Sequence, residues 1–431
     1  MGFESILILI LVFVVLLFLR VPIAFSIGLA TLATILVSVA PLPAVTTVAQ
    51  RMATGLDSFT LLAIPFFILA GQLMNKGGIA KRLIDFAKVL VGTLPGGLAY
   101  VNVISAMLFG AISGSAVAAA SAIGGIMAPQ MKKEGYDPEF GAAINITSST
   151  TGLLIPPSNV LIVYSLASGG VSIAALFLAG YIPGLLVGLG LMVTSGYIAF
   201  RKKYKVAERV SLKTAVLSFF DAIPSLFLIF VVIGGIIGGI FTATEAAAIA
   251  VLYALVLSFI YKEISIKSLP DVLLEAAKTT SIVMLLIATS VAMSWVLSFE
   301  NIPQSISAGL ISLFDSDIAI LLVINLILLF VGAFMDITPA ILIFTPIFLP
   351  VATQLGIDPV HFGIIIVFNL TVGLCTPPVG TILFVGCSVA DVPITKVIKP
   401  LLPLFLVMIV SLILVTFVPD LSLFLPRLFG Y

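Results

Sequence analysis

Apolar runs of membrane-spanning length follow one another along this chain, starting with ILILILVFVVLLFL near the N-terminus, and short polar clusters separate them. A helical crossing needs about 20 predominantly apolar residues. On that measure the pattern predicts crossings near 4–20, 22–40, 59–75, 139–168, 172–200, 223–241, 243–262, 278–299, 359–390 and 396–418. Two of these, 139–168 and 359–390, carry a proline pair in mid-course and read as broken helices. Segments 97–131 and 317–354 are too long for one crossing and have Gly, Ser, Asp or Pro at their centres. They read as re-entrant helical hairpins that return to the side they entered from.

Composition agrees with an all-α polytopic membrane protein: 61% of residues are hydrophobic, 9% are charged and the mean hydropathy is +1.32. That excludes an ordinary soluble enzyme. A net charge of +1 points to no nucleic-acid partner. The first apolar run meets Arg20 and a second span directly, so it reads as a retained helix rather than a cleaved signal. With both termini outside, 18 of the 20 basic residues fall in inner loops, Lys205 and Arg209 among them, and only Arg51 and Arg427 fall outside. This positive-inside asymmetry would collapse if either hairpin were an odd crossing.

The halves resemble each other. GLLIPPSN at Gly152 returns as GLCTPPVG at Gly373, 221 residues on (373 − 152), FGAISGS at Phe109 as VGAFMDI at Val331, Pro129 as Pro350, and GYDPEFG at Gly135 as GIDPVHFG at Gly356. The topology makes the first half, 1–210, and the second, 211–431, inverted repeats with five crossings and one hairpin each. Inverted repeats with broken helices at matching positions are the sequence pointer to the binding site of a secondary transporter. A proline pair stops a helix inside the bilayer, where freed carbonyls can coordinate a cation and the next helix N-terminus can meet an anion. The plain alternative is a packed proline kink.

Candidate chemistry gathers at the same places. Ser113 and Ser115 put hydroxyl oxygens near the first hairpin tip, where plain small-residue packing is the alternative reading. Asp336 and Thr338 occupy the second tip, and Thr376 the second break. An acid at membrane depth is a functional candidate unless the tip reaches the interface and is merely solvated. Glu245 reads equally as an anchor or a coupling group. The basic stretch GGIAKRLIDFAKVL, with Lys76, Lys81, Arg82 and Lys88, reads as an interfacial arm that meets lipid headgroups. Arg51 reads as a surface residue or as a receiver of anions. Cys375 and Cys387 lack framework spacing and read as packing residues, and the single histidine, His361, is placed in an extramembrane loop. A channel would need a continuous polar path, and an enzyme a paired acid or nucleophile that the chain does not show.

LLAIPFFILAGQLMNKGGIAKRL, LPGGLAYVNV, FGAISGSAVAAASAIG, KKEGYDPEFGAAI, GLLIPPSN, LFLAGYIPGLL, GIDPVHFGI and GLCTPPVGT, in this order, resemble the large membrane subunit of tripartite ATP-independent periplasmic (TRAP) transporters along essentially the whole chain. The resemblance implies a bacterial or archaeal inner-membrane protein that takes up organic acids, sialic acid or C4-dicarboxylates, with a sodium gradient. It implies an elevator mechanism of the wider ion-transporter superfamily, a small four-helix membrane subunit and a periplasmic substrate-binding protein as partners. Sodium would lie between the tip at Ser113 and Ser115 and the break at Gly152, Ile155 and Pro156, and between the tip at Asp336 and Thr338 and the break at Gly373, Thr376 and Pro377. The anion would sit between them, near Ser115, Thr151, Asn159 and Thr381. Where many members carry an acid in the first hairpin this chain has Ala119, and it has Asp336 where glutamate is frequent. A stand-alone sodium-coupled carrier of the same superfamily is the second reading.

Overall fold

A computed structural model of the chain describes residues 2–204, 212–314, 316–377 and 379–431. The predicted boundary at 210/211, Lys205, Arg209 and the second proline of the second pair, Pro378, lie outside the described residues. In the first half the helices are α1 (Gly2–Phe18), α2 (Ile23–Ile35), α3 (Pro41–Gly55), α4 (Ala63–Lys76), α5 (Ile79–Val91), α6 (Gly97–Ser113), α7 (Ala116–Lys133), α8 (Pro138–Thr151), α9 (Asn159–Ala167) and α10 (Ile173–Arg201). In the second they are α11 (Leu212–Ile237), α12 (Ala243–Ile260), α13 (Leu269–Phe299), α14 (Ile302–Leu313), α15 (Asp317–Phe334), α16 (Ile337–Gln354), α17 (Pro359–Gly373), α18 (Thr381–Ala390), α19 (Ile394–Phe417) and α20 (Asp420–Leu428). No strand occurs among the described residues. Among the described residues eight apolar segments, including α10, α13 and both arms of the second hairpin, are long and apolar enough to cross a membrane.

Local chemistry starts these helices where the pattern predicts. Pro138 and Pro359 open α8 and α17, where a missing N–H costs nothing, and Asp358 accepts from the Val360 amide at 2.7 Å. Glu245 and Thr242 form a reciprocal capping box at the start of α12, so Glu245 has the anchoring role. Besides the arm helix α5, three helices fall where hydropathy predicts no crossing: α3, α14 and α20. The segment α3 alternates polar and apolar residues, while α14 and α20 are short. Likewise α13 begins nine residues before its predicted span, because Asp271 and Glu275 mask the extension.

His361 corrects the sequence reading. It is buried in the first turn of α17, with Nε2 3.3 Å from the Thr416 carbonyl oxygen, because the helix starts at Pro359 and carries the ring inward. The arm helix α5 also differs in part. Lys76 pairs with Glu275 at 3.0 Å and Lys88 with Asp85 at 3.5 Å. Arg82 lies 3.3 Å from Asp221 and stacks over Tyr261, so much of the basic face is tied to protein rather than left for lipid. Between α7 and α8, Lys202 grips Asp137 and holds its carboxyl below the usual carboxylate range. Both cysteines are free and buried.

The hairpins and broken helices recur at nearly one interval: α15, α16, α17 and α18 start 220, 221, 221 and 222 residues after α6, α7, α8 and α9 (317 − 97, 337 − 116, 359 − 138, 381 − 159). In each set the first hairpin arm crosses the broken helix at a glycine pair. A Cβ on Gly110 would come 2.7 Å from the Gly152 Cα, and one on Gly332 would come 3.0 Å from the Gly373 Cα. Buried amides tie the same arms together. Ser148 donates to Asn102 Oδ1 at 3.2 Å, and Asn369 donates to Asn325 Oδ1 at 2.8 Å. Polar bridges of this kind hold helices together where water cannot compete. Large apolar side chains on α1 and α11, such as Ile10 and Phe230, are exposed, as a lipid-facing surface requires.

Candidate functional site

The two hairpins turn tightly. The first turns at Gly114, whose positive φ of 61° closes the turn, and Ser115 then caps α7 by accepting from the Ala118 amide at 3.2 Å. The second turns through Met335, with Asp336 as the extended residue that opens α16. Ser115 and Asp336 are therefore equivalent helix-opening residues, 221 positions apart (336 − 115).

Backbone packing brings the first tip against its neighbours. A Cβ on Gly71 of α4 would come 2.8 Å from the Ser113 carbonyl oxygen, and one on Gly114 would come 3.0 Å from the Asn159 side-chain amide. Only glycine permits both approaches. At the first break α8 ends at Thr151, residues 152–158 run irregularly through the interior, and α9 opens at Asn159. Ser158 turns inward and donates to the Leu153 carbonyl at 2.6 Å. At the second break the amides of Ile382 and Leu383 donate to the Leu374 carbonyl at 3.2 and 3.4 Å, and the Gly380 amide reaches the Ala333 carbonyl at 3.1 Å. Much of the donor capacity at the start of α18 is thus spent inside the protein, whereas the sequence reading offers those N–H groups to an anion.

Both tips and parts of both breaks line one cavity of ≈ 210 Å3. Ser113, Ser115 and Asn159 border it from the first half, and Asp336, Thr338 and Leu374 from the second. Asp336 is exposed to this space and is its one charged lining residue among the described residues. Of the other positions expected at the site, Thr151, Gly152, Ile155, Pro156, Gly373, Thr376, Pro377 and Thr381 do not border it. Gly152 and Gly373 are consumed in the helix crossings, and Thr151 donates to the Ser148 carbonyl at 2.6 Å. Thr376 donates to the Val372 carbonyl at 3.1 Å, while the buried Thr381 hydroxyl has no partner. Three polar lining residues were not in the expected set: Gln72 and Asn75 of α4 and Thr279 of α13. Gln72 and Asn75, three apart inside an apolar span, were the available signal.

The chain matches the family described as "Tripartite ATP-independent periplasmic transporter, DctM component" over residues 10–421. It belongs to the DctM family. Among its relatives, the uncharacterized protein YgiK of Salmonella typhimurium is 59% identical over 97% of this chain and 96% of its own length. The C4-dicarboxylate TRAP transporter large permease protein DctM of Pseudomonas aeruginosa is 46% identical over 87% of this chain and 88% of that protein. The sialic acid TRAP transporter large permease protein SiaM of Vibrio cholerae is 39% identical over 96% and 97% respectively. Among solved structures, the YdaH transporter of Alcanivorax borkumensis superposes with a TM-score of 0.67 over 88% of this chain and 89% of its own, at 14% identity, a likeness of fold alone. This DctM-family chain is therefore a multi-pass membrane component of a tripartite transporter.

Proposed function

We propose that this DctM-family permease imports a small organic anion by sodium symport, with an elevator motion of α6–α9 and α15–α18 against the remaining helices. The observation that carries this reading is the convergence of both hairpin tips and parts of both helix breaks on one cavity. The hydroxyls of Ser113, Ser115 and Thr338 and the carboxylate of Asp336 are hard oxygen donors of the kind a small alkali cation takes. Asn159, Gln72 and Asn75 are neutral hydrogen-bond donors suited to an anion beside them. Relatives are named for C4-dicarboxylates, sialic acid, 2,3-diketo-L-gulonate and isethionate, which share an anionic head on a compact polar body. The 46% identity to a C4-dicarboxylate permease makes a C4-dicarboxylate the first substrate to test.

The partners in this reading are a small membrane subunit and a periplasmic binding protein that delivers the anion. A relative of this chain named as the isethionate permease DctMQ extends well beyond the match, which covers 64% of it, and this is consistent with a second permease part. The two halves act as inverted repeats in the inner membrane, with both termini on the periplasmic side. Two sodium ions in excess of the substrate charge supply enough energy: a thousandfold accumulation needs about 4 kcal/mol, and each net charge moving through 100 mV yields about 2.3 kcal/mol.

The test is uptake of labelled succinate and sialic acid into proteoliposomes that hold this chain and its small subunit under an inward sodium gradient, with and without the binding protein. The reading expects uptake that needs both sodium and the binding protein. Uptake unchanged when potassium or choline replaces sodium overturns the coupling. Uptake without the soluble protein makes this a stand-alone carrier.

A further inference from the structure

A second cavity, of ≈ 450 Å3, lies between α3, α13, the end of α9 and α16. Arg51 stands at its edge with the guanidinium carbon 4.9 Å from the centroid of the Trp295 ring, which in turn stacks on Phe299 at 5.2 Å. Arg51 has no acidic partner among the described ion pairs. Ser290, Ser294 and Ser298, spaced four apart, line the cavity along one face of α13. Ser290 is independent support: it borders the cavity, is only 1% exposed, and its hydroxyl has no hydrogen-bond partner. A buried hydroxyl without a partner costs free energy that a bound acceptor would recover. An arginine held on an aromatic ring keeps a planar set of N–H donors suited to a carboxylate.

We propose that this cavity binds a small carboxylate anion, as a staging site distinct from the hairpin-tip cavity. The same stripe of α13 connects the two. Thr279 and Val283 border the tip cavity, Ser290 and Ser294 border the second, and the fully buried Ile287 lies between them at helical spacing. A rise of 1.5 Å per residue sets Thr279 and Ser290 about 16 Å apart along the helix axis. Carboxylate binding stands on this geometry alone, while the staging role rests on the transport reading above.

Trp295 is the single tryptophan of the chain and lies against Arg51, so its fluorescence reads the site directly. The full chain with its small subunit is reconstituted in phosphatidylcholine vesicles, and the Trp295→Phe protein supplies the blank for any tryptophan of the partner. The emission is then quenched with anionic iodide and with neutral acrylamide. The expected result is iodide quenching that saturates and is displaced by succinate. Arg51→Gln should weaken it roughly tenfold, and Ser290→Ala should weaken it less. Arg51→Lys retains the charge and should retain saturation, and acrylamide quenching should stay the same in every variant. Iodide quenching that is linear and equal in wild type and Arg51→Gln overturns the site. Displacement by phosphatidylglycerol but not by succinate makes the ligand a lipid headgroup and overturns the proposal. Loss of sodium-dependent uptake with saturable quenching intact bears on the transport reading and leaves the site standing.

Discussion

The first tip and break and the second tip and break are built from the same parts but finished differently. In the first, Ser115 is a neutral hydroxyl that caps its own helix, and every residue from Gly152 to Ser158 is buried. Ser158 locks the Leu153 carbonyl from inside. In the second, the position of Ser115 is taken by the carboxylate of Asp336, and the position of Ser158 by Val379, which is 40% exposed. Pro377, two residues before it, is also exposed. The first half therefore resembles a fixed, internally satisfied wall, and the second carries the charge and the more open loop. Two copies of one motif can divide the work in this way, because a tip needs only a tight turn and a helix start, while the group placed there sets what it attracts.

The largest expected break of this comparison is at the glycine crossings. Gly110→Ala drives a methyl against the Gly152 backbone, closer than real Cβ contacts come, and should cost about 3 kcal/mol. Gly332→Ala meets the Gly373 Cα and the Leu370 carbonyl oxygen at 3.0 Å, tight but less so than the 2.7 Å of the first crossing, and should cost about 1 kcal/mol. Thermal unfolding of both proteins in one detergent measures the pair. Equal losses would mean that the two crossings are packed alike.

Next comes the division of charge between the tips. Asp336→Asn should raise the sodium concentration for half-maximal uptake about tenfold, and Ser115→Ala about threefold, as the loss of a charged and a neutral oxygen donor would. The readout is uptake against sodium at fixed membrane potential. A larger effect at Ser115 than at Asp336 would invert the roles of the two tips.

The smallest effect concerns the breaks. Ser158→Val leaves the buried Leu153 carbonyl without its 2.6 Å donor and should lower stability by about 1 kcal/mol. At the matching exposed position Val379→Ser should change stability by less than about 0.5 kcal/mol. The two unfolding midpoints, compared with wild type, decide whether the first break is the stiffer one.

The membrane class, the two hairpins, the two breaks and the family were legible in the sequence by itself, because each rests on local chemistry. Apolar runs, proline pairs, small residues at turns and an order of motifs do not need distant neighbours to be recognised. The same holds for the candidate status of Ser113, Ser115, Asn159, Asp336 and Thr338, all of which border the tip cavity. Tertiary structure alone decided which other residues face that space. Gln72, Asn75 and Thr279 join it from helices far away in sequence, while Thr151 and Thr376 turn their hydroxyls back onto their own helices. It also drew His361 into the interior and set Arg51 against Trp295 across 244 residues (295 − 51). A side chain's neighbours across a helix interface depend on how whole helices cross, and those crossings are set by close backbone contacts such as Gly110 with Gly152. Hydropathy, which sums residues one window at a time, carries no information about them.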